Sequence, residues 1–123
     1  MKNKVEKRQC VLVVDDQPKV LRFIEIDLKL HGFDVLTTTS GEAALELAKS
    51  ANPDVMLLDI VMPEMDGFEV LRRLRVFTRL PVLAFSASHI SQDDALQFGA
   101  DDFMSKPFRS DDMVRRITAL LKR

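Results

Sequence analysis

The chain has 123 residues, of which 46% are hydrophobic and 30% are charged, and its formal net charge is −1. This size and composition are typical of one globular domain with a single core. The small net charge argues against a nucleic-acid-binding domain, because contacts to phosphates require a cationic surplus. No apolar stretch is long enough to span a bilayer, so we expect no membrane-spanning segment.

Residues 1–9 are mostly polar or charged and have no long apolar segment behind them. We interpret this segment as a flexible arm and not as a signal peptide, with the folded domain covering residues 10–122. Cys10 is the only cysteine and falls inside an apolar run. It cannot form an internal disulfide, and this pattern favours a reducing, cytoplasmic location.

Glycine and proline residues separate alternating apolar runs and helical patterns along the chain. Continuous apolar runs predict buried strands of a parallel sheet, whereas apolar residues spaced three or four apart predict amphipathic helices. The predicted strands are 10–14, 34–38, 55–58, 82–85 and 103–105. The predicted helices are 18–30, 42–50, 68–77, 91–98 and 111–121. This order predicts an α/β fold, a doubly wound (βα)5 sheet between two helical layers.

Four residues indicate where the helices begin or end. Pro18 suits the first position of a helix, where its missing N–H has no consequence. Gly32 predicts a left-handed cap after that helix. Asp66 predicts an N-cap before the third helix, and Ser110 predicts one before the last.

The apolar runs end on side chains that can bind a metal ion or a phosphoryl group. Asp15 and Asp16 follow the first run, and Asp59 follows the third. Ser86 and Lys106 follow the last two. Because the C-terminal ends of parallel strands meet at one edge of the sheet, where ligands bind in open α/β folds, we expect these five side chains to converge.

Such a group predicts phosphoryl chemistry with a divalent cation. Two carboxylates about 4 Å apart repel each other by roughly 4 kcal/mol at an effective dielectric near 20, which raises a pKa or attracts a cation. Ligands that are all oxygen suit Mg²⁺. Asp59 stands alone at the end of the central strand and is the candidate nucleophile. Lys106 and the Ser86 hydroxyl would contact the remaining phosphoryl oxygens.

Over residues 10–121 the chain resembles a response-regulator receiver domain of two-component signalling. The resemblance is carried by Asp15-Asp16, Asp59 with Met-Pro-Glu-Met-Asp-Gly at 62–67, Ser86-Ala87, and Phe103 before Lys106-Pro107-Phe108. It implies the flavodoxin-like receiver fold with strand order 2-1-3-4-5. It also implies that Lys106-Pro107 is a cis peptide.

The resemblance implies that Asp59 accepts a phosphoryl group from a sensor histidine kinase or a histidine phosphotransfer protein. Mg²⁺, or Mn²⁺ as an alternative, would be bound by Asp15, Asp16, Asp59 and the backbone carbonyl of Val61. The protein would then be a signalling switch whose own chemistry is limited to its phosphorylation and dephosphorylation.

The resemblance also implies how such a switch responds. Ser86 and Ala87 would bind the phosphoryl group, and Phe103 would turn inward. This change would remodel the face formed by helix four, strand five and helix five, which could also pair with a second copy of the chain. Val61 and Ser88 lie two residues beyond site residues and offer little help to an attacking water, so we expect slow autodephosphorylation.

Other charged groups are interpreted as structural. The pairs Asp93-Asp94 and Asp111-Asp112 fall in first turns of predicted helices, where they complement the helix dipole. Asp101-Asp102 precedes a strand and so belongs to the opposite edge of the sheet. The arginines in and just after the third predicted helix are interpreted as a solvated face, with partner docking as the lesser alternative: Arg72, Arg73, Arg75 and Arg79.

Three other function classes require different residues or leave the phosphoryl site unused. A haloacid-dehalogenase-type phosphohydrolase requires an acid two residues after the nucleophile, where this chain has Val61. A flavodoxin-like cofactor binder requires a phosphate-binding loop after strand one, where Asp15 and Asp16 would repel phosphate. An interaction module that works without phosphorylation stays open, as does the choice between a stand-alone receiver and a piece of a longer regulator or hybrid kinase.

Overall fold

The computed structural model describes residues 8–87 and 92–123. Within this part of the chain, strands and helices alternate. The strands are β1 (Cys10–Val14), β2 (Asp34–Thr38), β3 (Val55–Asp59), β4 (Val82–Ser86) and β5 (Asp102–Ser105). The helices are α1 (Pro18–Leu30), α2 (Gly41–Ser50), α3 (Gly67–Leu74), α4 (Gln92–Gln97) and α5 (Ser110–Leu121).

All strand pairings are parallel, and the strand order is β2-β1-β3-β4-β5. Helices α1 and α5 cover one face of the sheet, and α2, α3 and α4 cover the other. The predicted (βα)5 doubly wound fold with strand order 2-1-3-4-5 is therefore confirmed. This order places β3 in the centre of the sheet, so that Asp59 ends the strand with neighbours on both sides.

Burial of the strands explains their composition. β3 and β4 are buried along their whole length, as the continuous apolar runs predict. The edge strand β2 is half-buried and half polar, because only one of its sides pairs with a neighbour. The strand ends that carry Asp59 and Ser86 are therefore fixed by packing on both faces of the sheet.

Three of the predicted helix boundaries are confirmed. Pro18 occupies the first turn of α1, and Gly32 follows that helix with φ +91°. The Asp66 carboxylate accepts a hydrogen bond from the Glu69 N–H at 3.0 Å and caps α3.

The prediction that Ser110 caps the last helix is wrong. Ser110 is the first residue of α5, and Arg109 stands at the N-cap without a side-chain hydrogen bond. The Ser110 hydroxyl instead donates to the Asp27 carboxylate at 2.6 Å. A hydrogen bond to a charged acceptor is stronger than one to a neutral group, and this one joins α5 to α1.

The third helix is shorter than predicted. It ends at Leu74, and turns rather than helix follow at positions 75–77. The interpretation of the basic stretch as a solvated face holds for Arg72 and Arg73 on α3 but is wrong for Arg75, whose guanidinium donates to backbone carbonyls of two loops.

Several predictions fall on residues outside the described ranges. They are the flexible arm, apart from residues 8 and 9, the start of the fourth helix at 91, and the position of Ser88. In the part of the chain that the structure describes, no helix combines the length and apolar character needed to cross a membrane.

Candidate functional site

Three acidic side chains meet at the C-terminal edge of the sheet. Asp15 and Asp16 directly follow β1, and Asp59 is the last residue of β3. One carboxylate oxygen from each lies within 4.8 Å of the others. Asp15 is completely buried and Asp59 is 4% exposed, whereas Asp16 is half-buried. The parallel sheet thus brings together the acids that the sequence predicts to converge.

Lys106 supplies a positive charge to this group. Its ammonium lies 3.0 Å from Oδ2 of Asp15 and 3.8 Å from Oδ2 of Asp59. It also lies 4.8 Å from the centre of the Phe85 ring, a distance at which the ring face attracts a cation. Lys106 follows β5, and the Lys106-Pro107 peptide that carries it is cis, as the resemblance implies.

Backbone N–H groups orient the two buried carboxylates. The Gln17 N–H donates to Oδ1 of Asp15 at 2.9 Å, and the Val61 N–H donates to Oδ1 of Asp59 at 3.2 Å. The Oδ2 atoms of both aspartates therefore face Lys106. In each carboxylate, Oδ1 is thus hydrogen-bonded to the adjacent loop, and Oδ2 is directed toward the Lys106 ammonium.

The electrostatic balance of the site disfavours the ionised form of Asp59. Burial, followed by the charge of Asp15, raises the pKa of the Asp59 carboxyl from 3.8 to about 6. Lys106 and the Val61 N–H act in the opposite direction but do not compensate. A cation placed between the carboxylates would reverse this effect, because it favours the charged form.

The loop between β3 and α3 is fixed by Gly67. Its N–H donates to the carbonyl of Ile60 at 2.7 Å, closing the loop on the residue next to Asp59. A Cβ atom at Gly67 would lie 2.6 Å from the Ile60 Cα and 2.7 Å from the Asp59 carbonyl oxygen. Only glycine permits this approach, which holds Val61 at the mouth of the site.

The remaining predicted site residues lie either at the site edge of the sheet or in the hydrophobic core. Ser86 ends β4 and is buried at the same edge of the sheet as Asp59. Val61 and Ala87 line the pocket over the acids. Phe103 is 8% exposed and packs in the core layer under α2, α3 and α4, so it already lies inward in this structure.

The pocket also includes residues that the sequence analysis did not assign to the site. The described residues that line it are Asp16, Gln17, Asp59, Val61, Met62, Pro63, Ala87 and Lys106. Gln17 directly follows the acidic pair, and Met62 and Pro63 belong to the loop after Asp59, so closeness in sequence to those acids was the signal that could have found them.

The donor set fits a hard divalent cation. The three carboxylates offer only oxygen, and neither histidine nor cysteine is among the described residues that line the pocket. Oxygen ligands with room for water on one side are what Mg²⁺ requires. The half-exposed Val61 lines the same pocket.

The sequence matches the family described as response regulator receiver domain over residues 11–118. The chain belongs to this family. It is 42% identical over 115 residues to the transcriptional regulatory protein KdpE of Mycobacterium tuberculosis, covering 92% of this chain and 51% of that protein. It is 40% identical over 116 residues to the cell cycle response regulator CtrA of Brucella ovis, covering 92% and 50%.

A solved receiver-domain structure has the same fold. The receiver domain of the Francisella response regulator 1452 superposes with a TM-score of 0.89 at 34% identity, covering 94% of this chain and 98% of that one. Receiver domains of this family are signalling switches. The chain spans about half the length of the curated relatives it matches.

Mg²⁺ is expected to stabilise the folded receiver, because it relieves a carboxylate repulsion that exists only when Asp15, Asp16 and Asp59 are brought together. At a free concentration of about 100 times Kd the gain is about 2.7 kcal/mol, or a rise in Tm of roughly 10 °C. Thermal unfolding with and without Mg²⁺ measures it. The Asp16→Asn protein should show no rise, and equal rises in both proteins would remove Asp16 from the site.

Proposed function

We propose that the receiver accepts a phosphoryl group on Asp59 from the phosphohistidine of a sensor histidine kinase or a histidine phosphotransfer protein. The observation that carries this proposal is the position of Asp59. It ends the central strand, it lines a pocket open to solvent, and its Oδ2 lies 3.8 Å from the Lys106 ammonium. A carboxylate so placed can be approached from one side only, which suits an in-line transfer.

In the proposed transfer an Asp59 carboxylate oxygen forms a bond to phosphorus, and the bond between phosphorus and the donor histidine nitrogen breaks. The nitrogen keeps the bonding electron pair and leaves as neutral imidazole once it has taken up a proton. Lys106 stabilises the charge on the phosphoryl oxygens, and the Ser86 hydroxyl donates to them. Mg²⁺, or Mn²⁺, when bound by Asp15, Asp16, Asp59 and the Val61 carbonyl, would neutralise the negative charge that gathers there.

The proposed response runs from Ser86 to the face formed by α4, β5 and α5. Ser86 and Ala87 connect the phosphoryl group to the chain that leads to α4. Phe103 on β5 packs inward beside Ala95 of α4, so the two elements share one core layer. This face is the proposed surface for an output partner or a second copy of the chain, and we propose a cytoplasmic location for the protein.

Acetyl phosphate with Mg²⁺ tests the phosphoacceptor assignment. Intact-mass measurement should show one added phosphoryl group in the wild type and none in Asp59→Asn. Asp54→Asn is the matched control, because Asp54 lies before β3 at the opposite edge of the sheet, where it accepts from the Cys10 N–H. Stoichiometric labelling of Asp59→Asn would overturn the assignment, and so would loss of labelling in Asp54→Asn alone.

The lifetime of the phosphorylated state is proposed to depend on Val61 and Ser88. Val61 is 51% exposed at the pocket mouth and offers no side-chain hydrogen bond to an attacking water. The double variant Val61→Asn/Ser88→Glu should release phosphate about tenfold faster or more, a barrier lower by about 1.4 kcal/mol. Phosphate-release rates at one Mg²⁺ concentration measure this, and a wild type that is already as fast would exclude both positions.

A further inference from the structure

Arg75 differs from the other arginines around it. Arg72 and Arg73 are exposed and bind Glu69 on the outer side of α3. The Arg75 side chain is 22% exposed and points into the space between two loops. A half-buried guanidinium loses part of its contact with water, and hydrogen bonds to protein groups replace that contact.

The guanidinium of Arg75 connects the α3–β4 loop to the α4–β5 loop. Its Nε and Nη2 both donate to the carbonyl of Gly99, at 3.0 and 2.8 Å. Its Nη1 donates to the carbonyls of Leu80 at 2.8 Å and Thr78 at 3.3 Å. Nη2 also donates to Oδ2 of Asp101 at 3.0 Å. Only the planar, multi-donor arginine side chain can make this set of bonds at once.

A second contact holds the same end of α4. The Phe98 ring lies against the Phe68 ring of α3 with centroids 4.5 Å apart. The next residue, Gly99, has φ +114°, and its Cα approaches Arg75 so closely that a Cβ would lie 3.0 Å from the Arg75 Cγ. The chain that leaves α4 is therefore packed against α3 by an aromatic pair and hydrogen-bonded to the half-buried Arg75 guanidinium.

The rest of α4 is mostly exposed to solvent. The helix runs only from Gln92 to Gln97, and Ala95 is its one buried residue. Its N-terminal end continues through residues 88–91, outside the described ranges, to Ala87 at the phosphoacceptor pocket. One end of α4 is thus linked along the chain to the site, and the other is fastened to α3.

We infer that Arg75 is a positioning residue that fastens the C-terminal end of α4 to α3, so that α4 responds to the pocket by moving about that end. The hydrogen bonds from Arg75 to the Gly99 carbonyl hold this end of α4 in place, and the Phe68–Phe98 contact supports them. The fastening is a property of the resting protein. Only the movement about it rests on the proposed phosphorylation of Asp59.

Amide hydrogen exchange, followed residue by residue by NMR, tests the fastening without any phosphoryl donor. In Arg75→Ala, the amides from Gln92 to Ala100 should exchange about tenfold to a hundredfold faster than in wild type, because hydrogen bonds to a charged group are lost. Arg79→Ala is the control, since Arg79 is exposed in the same basic stretch. Arg75→Lys keeps the charge but not the fork of donors, and should be intermediate.

Two results would overturn the fastening. One is equal exchange of α4 amides in Arg75→Ala and Arg79→Ala. The other is an acceleration in β3 as large as that in α4, because this would show a loss of global stability instead of a local release. A faster α4 with unchanged β3 supports it.

The movement is tested after treatment with acetyl phosphate and Mg²⁺, with the mass of the protein measured in parallel. In wild type the amide shift changes should be largest at Gln92 and decline toward Gly99, whereas in Arg75→Ala they should extend through Gly99. Equal changes at both ends of wild-type α4 would overturn the movement about a fixed end. If the mass shows no phosphoryl group, the proposed function fails, and the fastening is still decided by the exchange rates.

Discussion

Replacement of Asp59 by asparagine is expected to raise the free energy of unfolding by about 3 kcal/mol at pH 8 in the absence of divalent cations. Burial and the charge of Asp15 raise the pKa of the Asp59 carboxyl from 3.8 to about 6. A difference of that size corresponds to about 3 kcal/mol against the ionised form. Asparagine keeps the shape of the protonated carboxyl and has no charge to bury.

The sign of the pH dependence follows from proton binding. Between pH 3.8 and 6 the folded protein holds a proton at Asp59 that the unfolded chain has already released. The Asp59 contribution to stability therefore falls as pH rises through this range and is constant above it. The gain from Asp59→Asn should be near zero at pH 3.5, grow up to about pH 6, and stay level beyond.

Urea unfolding of the wild type and Asp59→Asn at pH 4 and pH 8, with a chelator present, measures the effect. Glu46→Gln is the matched control, because Glu46 is exposed on α2 and should change stability by less than about 0.5 kcal/mol. A stability of Asp59→Asn equal to or below that of wild type at pH 8 would show that Lys106 fully compensates the buried charge. The prediction of a cation site would then rest on the oxygen donor atoms alone.

Gly67→Ala should destabilise the receiver by about 3 kcal/mol and reduce its stabilisation by Mg²⁺. Helix propensity alone predicts the opposite sign, since alanine is better than glycine in a helix by up to about 1 kcal/mol. The steric term is larger here, because the added Cβ would lie 2.6 Å from the Ile60 Cα and 2.7 Å from the Asp59 carbonyl oxygen. Backbone atoms at the end of a buried strand cannot move away without shifting Asp59.

Gly32→Ala is the control for the steric clash at Gly67, because position 32 requires glycine only for its backbone conformation. Gly32 has φ +91° and no heavy atom within 4 Å of an added Cβ, so its replacement carries only the backbone penalty of about 1–2 kcal/mol. Thermal unfolding with and without Mg²⁺ should show that Gly32→Ala keeps the full response to Mg²⁺. A Gly67→Ala protein that unfolds at the wild-type temperature would show that the loop relaxes at no cost.

The fold could be predicted from the residue pattern, because each local pattern agreed with the others. Continuous apolar runs require strands covered on both faces, and the helical patterns between them supply that cover. Parallel pairing places the C-terminal ends of the strands at one edge of the sheet. The convergence of Asp15, Asp59 and Lys106 could therefore be predicted without coordinates.

Hydrogen-bond partners depend on the packing of distant segments wherever the local pattern allows more than one partner. Arg72, Arg73 and Arg75 are neighbours in a basic stretch, yet only Arg75 lies beside the Gly99 carbonyl, 24 residues away in sequence. Ser110 fits an N-cap by type, but the Asp27 carboxylate across the α1–α5 interface takes its hydroxyl. Periodicity reports which side of an element faces the core, whereas hydrogen-bond partners depend on which loops the packed helices bring within about 3 Å.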